Sequence, residues 1–255
     1  LDSNSVSGNF ITSLLEDREG RLWVGTALNG LNLFDRDSEH FTRIATDGTM
    51  ALSNNTVLSI QEDKLGAIWV GTANGLNKIV TGTSKNGAKS RSIQVKQISL
   101  TNIEGTEAFK IIQDKPEINY FEPSFCIAKS GTIWVSTFNH VFRIKPALSQ
   151  DEVIKEDIEQ YASNAHRDVM HKIIYKIFED TANGLLCFKG FDYFTIIHES
   201  DGKKEFWDCA PLNTGTGRNQ VVTNRGVLWD RTGNGLHVFD LLHKQVSRVV
   251  SNKEE

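Results

Sequence analysis

Three pairs of adjacent carboxylates, Glu16-Asp17, Glu62-Asp63 and Glu179-Asp180, are the residues here best suited to acid–base chemistry. Two carboxyl groups flanking one bond can protonate a leaving group and attack or activate water, as in glycoside hydrolysis. Catalysis needs one such pair, whereas this one recurs in a fixed register. In the first two copies a glycine follows three residues after the Asp, at Gly20 and Gly66. An Asp side chain can bond the backbone ahead of it, and a glycine can take the left-handed conformation that closes a tight hairpin. The pairs are therefore expected to be turn and strand-end structure. His166, Asp168 and His171 could converge on a metal, but they lie in a polar connector without a third strong ligand in register, so a solvated loop is expected. No Ser/His/Asp arrangement and no phosphate-cradling glycine loop stands out. The sequence thus predicts no catalytic residue, no metal and no cofactor.

The elements that carry these residues repeat. Ile60 to Ile79 contains Glu62, Asp63, Gly66, Ile68, Trp69, Val70, Gly71, Thr72, Gly75, Leu76 and Asn77. Moving back 46 positions recovers Glu16, Asp17, Gly20, Leu22, Trp23, Val24, Gly25 and Thr26, and one residue fewer recovers Gly30, Leu31 and Asn32. Looser copies follow around Trp134, Cys187 and Trp229, so the reference positions are separated by 46, 65, 53 and 42 residues. In the second unit Val57 to Ile60, Ile68 to Thr72, Leu76 to Val80 and Ile93 to Leu100 read as four strands, with Asn74-Gly75 a strong hairpin signal. A unit of about 40–45 residues with four antiparallel strands has the size of a propeller blade. The fold class expected is all-β: a β-propeller of about five four-stranded blades, part of a larger propeller, with approximate blades 1–50, 51–102, 103–165, 166–212 and 213–255. Each tryptophan supplies a flat face for packing against a neighbouring blade.

One stretch supports two readings. Ser149 with Glu152 resembles a capping box and the 154/158/161 spacing fits one helix face. The blade nevertheless needs a fourth strand there, which predicts one near Glu152 to Glu159.

The pattern Glu-Asp-x-x-Gly-x-Leu-Trp-Val-Gly-Thr-x-x-x-Gly-Leu-Asn, at Glu16 to Asn32 and one residue shorter at Glu62 to Asn77, resembles the two-component regulator propeller repeat. The preceding Leu52-Ser53-Asn54-Asn55 is similar to that family's lead-in to a blade. Units three to five depart at the Gly-Thr glycine (Ser136, Lys189, Arg231), and unit four also loses its tryptophan. The resemblance implies a periplasmic sensor region of a Bacteroides-type hybrid two-component system, with its membrane span and kinase outside this chain. It also implies glycan sensing, and hence an oligosaccharide as the expected partner. The chain opens in a segment that already reads as a blade lead-in, and so reads as a piece of a larger protein.

Composition bounds the alternatives. The chain has 255 residues, 39% hydrophobic and 24% charged, which suits a globular fold with a substantial core. A net charge of −4 with scattered basic residues gives no nucleic-acid footprint. No apolar run is long enough to cross a bilayer as a helix. The cysteines at 126, 187 and 209 form no C-x-x-C. Cys187 and Cys209 fall on the second and fourth strands of one blade, about 9–10 Å apart, too far for a bridge. Buried thiols and no disulfide are expected.

In a propeller the connections between second and third strands share a rim with those joining consecutive blades. Units one and two place short Ala-Asn-Gly turns there, whereas units three to five place Phe138-Asn139-His140, Lys189-Gly190-Phe191 and Arg231 to Asn234. Aromatic faces with cationic and amide donors suit a sugar bearing carboxylate or sulfate groups. Phe138, His140, Lys189, Phe191 and Arg231 are the expected ligand-binding residues. A polysaccharide hydrolase or lyase propeller and a protein-interaction propeller are the competing classes. An unclosed arc of five blades would expose two blade faces, to be covered by a homodimer partner or by flanking blades.

Overall fold

The computed structural model describes residues 5–47, 50–82, 92–98, 124–136, 140–145, 158–163, 174, 176–190, 193–209, 220–222, 227–232 and 235–250. Among them are strands and turns but no helix, and hence no helix long and apolar enough to cross a membrane. Blade one is β1 (Ile11–Glu16), β2 (Leu22–Thr26), β3 (Leu31–Asp35) and β4 (His40–Ile44). Blade two is β5 (Val57–Glu62), β6 (Ile68–Thr72), β7 (Gly75–Gly82) and β8 (Ser92–Ile98). Blade three is β9 (Phe125–Ile127), β10 (Ile133–Ser136), β11 (His140–Ile144) and β12 (Ile158–Ser163). Blade four is β13 (Lys176–Asp180), β14 (Leu185–Lys189), β15 (Tyr193–His198) and β16 (Lys204–Asp208). Blade five is β17 (Gln220–Val222), β18 (Val227–Thr232), β19 (Gly235–Asp240) and β20 (Gln245–Val250).

Each blade pairs its strands antiparallel in chain order. First strands lie side by side, β1 against β5, β5 against β9 and β9 against β13, so the sheets radiate from a common axis. The core sits in the four seams between consecutive blades. Trp23, Leu31 and Ile44 of blade one pack with Val57, Ile60 and Ile68 of blade two. Trp69 and Leu76 meet Phe125 and Phe142 of blade three. Trp134 meets Ile177 and Phe188 of blade four, and Cys187 and Phe194 meet Leu228 and Phe239 of blade five. Each large side chain removed from water in this way contributes about 2–3 kcal/mol.

The glycine of the Trp-Val-Gly-Thr segment is required by the seam. A Cβ on Gly25 would come within 2.6 Å of Val57 Cγ1, and one on Gly71 within 3.1 Å of the Phe125 ring. Blade three tolerates Ser136 at this position because the hydroxyl donates to the Ser124 carbonyl and accepts from the Ser124 N–H, both at 3.2 Å.

The fourth strand of blade three differs from expectation. It runs Ile158–Ser163, not Glu152 to Glu159. Its register is set by the pairing of Ile158 with Ile144 and by a bulge opposite Val141/Phe142, and Tyr161 packs edge-on against Trp134 with centroids 4.8 Å apart. Residues 151–157, like the insertion at 101–121 and the cluster His166, Asp168 and His171, lie outside the described residues.

Candidate functional site

The paired carboxylates divide their work structurally. Asp17 Oδ1 accepts the N–H groups of Glu19 and Arg21, while Oδ2 accepts the Trp23 indole N–H at 2.7 Å and the Arg21 guanidinium at 2.5 Å. Asp63 repeats this with the N–H groups of Leu65 and Ala67 and the Trp69 indole at 2.8 Å. One carboxylate therefore closes the hairpin and fixes the tryptophan of the seam. Gly20 and Gly66 complete these turns at φ 75° and 84°. Burial alone would raise the Asp17 carboxyl, but the bonds from Trp23 and Arg21 outweigh it and hold the group below the usual carboxylate range.

In blades two and four the Glu of the pair reaches back to the preceding blade, whereas Glu16 pairs with Arg36 of its own blade. Glu62 accepts the Arg18 N–H of blade one at 3.0 Å and pairs with the Arg18 guanidinium at 3.2 Å. Glu179 accepts the Lys129 N–H of blade three at 2.6 Å. These carboxylates tie successive hairpin turns together. Burial, followed by the nearby Glu199 carboxylate, raises the Glu179 carboxyl despite the bond from Lys129. The thiols are equally structural. All three cysteines are buried and unbridged, and burial pushes Cys126 up to about 12 and raises Cys187 further.

Of the expected rim residues, Phe138 and Phe191 lie outside the described residues. His140 opens β11 and Arg231 lies on β18, with only their backbones described. Lys189 differs from expectation. It is 2% exposed, and its Nζ lies 3.1 Å from Oδ2 of Asp230, which is 0% exposed. Lys189 occupies the seam-facing glycine slot of β14 and Asp230 the slot filled by Val24 and Val70 in blades one and two. The two charges therefore meet inside the seam of blades four and five. A lysine held this way is a wall of the rim, not a donor displayed on it.

The open site lies on the same rim at blades one and two. A cavity of about 290 Å³ is lined by the β2–β3 turn, the linker into blade two, Ser7 of the lead-in and Arg43 of β4. That volume is the share of about ten waters. Its walls are fixed by bonds within the protein. Asn55 accepts from the Thr46 N–H at 3.0 Å, donates to the Thr46 hydroxyl at 3.1 Å, and its carbonyl accepts the Gly30 N–H at 2.8 Å. The Ser7 hydroxyl donates to the Asn29 carbonyl at 2.9 Å, and the Ser7 N–H donates to Asn32 Oδ1 at 3.0 Å. The side chains of Arg43 and Asp47, both exposed and both lining the cavity, have no hydrogen bond or ion pair among the described residues. Leu28, 70% exposed, forms an apolar lip, and Met50 lines the same cavity.

Sequence reasoning passed over this place because unit one's turn looked like the short turn of unit two. The signal was the single extra residue between Thr26 and Gly30, which is the residue that makes Leu28 a lip.

Comparison with known proteins gives this architecture its relatives. The two component regulator propeller family model matches residues 5–27 and 51–74. An extracellular domain assigned to a hybrid two component system of B. thetaiotaomicron superposes with a TM-score of 0.63 at 16% identity, over 95% of this chain and 30% of that one. Another from the same organism, assigned to a one component system, gives a TM-score of 0.66 at 16% identity, over 98% of this chain and 32% of that one. Virginiamycin B lyase from Staphylococcus aureus gives 0.61 at 16% identity, over 96% of this chain and 71% of that one. This chain thus spans about a third of the B. thetaiotaomicron domains it resembles. At these identities the likeness is one of fold. No curated protein matches the chain.

Proposed function

We propose, from the two component regulator propeller repeats that this chain carries, that it is the ligand-sensing part of a two-component system sensor. In this reading it works outside the cytoplasm, in the periplasm, binds an oligosaccharide, and signals to kinase modules outside this chain. The observation that carries the reading is the rim cavity beside Arg43 and Asp47, where a cation and a carboxylate whose side chains have no partner among the described residues stand over internally bonded walls. Arg43 suits a carboxylate or sulfate on the sugar, Asp47 suits hydroxyl donors, and Leu28 with Met50 suits the apolar face of a pyranose ring. His140, Arg231, Phe138 and Phe191 belong by chain topology to the same rim in blades three to five and are proposed as further subsites. Binding shifts the signalling state only insofar as the ligand prefers one arrangement of the sensor over another.

A second reading, a propeller lyase, draws on the likeness of fold to virginiamycin B lyase. Calorimetry against neutral, carboxylated and sulfated oligosaccharides, paired with product analysis, separates the two. The sensor reading predicts binding of an acidic oligosaccharide without product, and loss of a charged hydrogen bond makes Arg43→Ala bind about 10–100-fold more weakly. Product formation would establish the lyase. An absence of binding across the panel would leave a protein-interaction propeller.

A further inference from the structure

Lys189 and Asp230 meet in the seam of blades four and five with a hydrogen-bonding deficit. The amine lies 3.1 Å from Oδ2 of Asp230, and only 3% of the lysine side chain and 0% of the aspartate side chain are exposed. Yet neither carboxylate oxygen accepts a hydrogen bond among the described residues, so the amine stands beside the carboxylate without being aimed at it as a donor. The other described neighbours of Nζ are the Gly190 carbonyl at 3.5 Å and the Phe194 ring, its centroid 5.7 Å away. Ile196, Leu228 and Phe239 of the same seam are buried and apolar. An ion pair taken out of water is repaid only when its remaining lone pairs are satisfied, and those of Asp230 are not. A fully buried polar atom without a partner is rare enough to mark a special role. Blade four is also the one blade whose tryptophan slot holds another residue, Cys187. Its seam with blade five therefore lacks the second-strand indole that Trp23, Trp69 and Trp134 bring to the three seams before it.

We infer that Lys189 and Asp230 join covalently, as an amide between Nζ and Cγ that ties blade five to blade four. The ion pair is the state from which the bond forms. Lys189 passes one proton to Asp230, which leaves a neutral amine beside a neutral acid. The Nζ lone pair attacks Cγ, the C–N bond forms and the C–OH bond breaks. The hydroxyl leaves with a second Nζ proton as water, and the third proton stays on the amide nitrogen. Nothing is oxidised or reduced, so no further reagent is required. A seam that excludes water and holds the two groups in contact supplies the proximity that the same condensation lacks in solution. The product places no charge in the seam, and the carboxylate with its unmet lone pairs is gone.

Mass spectrometry of the intact 255-residue chain, denatured before measurement, tests this. The expected mass is one water below that of the sequence. Trypsin is expected to release a product in which the peptide containing Lys189 is joined to the peptide containing Asp230. The double variant Lys189→Met/Asp230→Val, which returns both slots to apolar side chains, is expected at its full sequence mass. A wild-type chain at its full sequence mass overturns the inference, and that measurement needs no variant to fold. So does a loss of water that persists in the double variant, or one that maps to any other pair of residues.

Discussion

Asp17 and Asp63 each hold two turn amides and an indole, which is why a sequence that looked catalytic is structural. Asp63→Ala leaves the Leu65 and Ala67 amides and the Trp69 indole without their acceptor. The expected loss is about 2–4 kcal/mol in urea unfolding. Asp180→Ala costs less, because Cys187 stands where the tryptophan would be and, among the described residues, the Asp180 carboxylate accepts from the 182–183 turn and Asn183 Nδ2 but from no indole. The two perturbed carboxyls have opposite pH signatures. Asp17 is lowered, so its stabilisation is present above its ordinary value and lost as pH falls through the lowered one. Glu179 is raised, chiefly by burial and then by Glu199. Its contribution is present below the ordinary carboxylate range, ~4.3, and is lost as pH rises through the raised value. Glu179→Gln keeps an acceptor for Lys129 and removes the charge. Its urea midpoint should exceed wild type at pH 8 and match it at pH 3.5, and a difference that persists at pH 3.5 would exclude the coupling. The turn role was legible from Asp-x-x-Gly alone. The indole bond was not, because nothing in a one-dimensional spacing says that a tryptophan six residues on folds back over the turn.

At the scale of strands and blades, the seam is the unit of stability, and its departures from the repeat are compensated in pairs. Lys189 and Asp230 replace a glycine and a valine across one seam. Lys189→Met buries Asp230 alone and should cost about 3–5 kcal/mol, whereas Lys189→Met with Asp230→Val should recover most of it. Thermal unfolding of the two variants and wild type checks this, and equal losses in both variants would mean the pair is not the compensating unit. The alternating pattern placed β2 and β6 at Leu22–Thr26 and Ile68–Thr72 from the sequence. It misplaced β12 because Ile158 and Tyr161, three apart, look like one helix face. In the sheet Ile158 is the backbone partner of Ile144 at one end of β12, while the Tyr161 ring packs on Trp134 in the seam with blade four. Lys189 misled for a related reason. A cation next to a turn reads as a rim donor until its partner, 41 residues away on another blade, is known.

At the scale of the whole molecule, the β2–β3 turn and the linker from blade one into blade two share one rim, and the proposed ligand site is placed where that rim departs from the repeat. The blades were legible because Trp-Val-Gly-Thr must recur wherever a seam recurs. The cavity was not, because it arises from one inserted residue, Leu28, and from an arginine at position 43 that only the β3–β4 register brings to the linker. Hydrogen–deuterium exchange, with and without an acidic oligosaccharide that binds in calorimetry, tests this location most directly. The account predicts slowed exchange at residues 26–30 and 43–55, absent in Arg43→Ala. Protection confined to the opposite rim, at the hairpin turns 17–21 and 63–67, would contradict it.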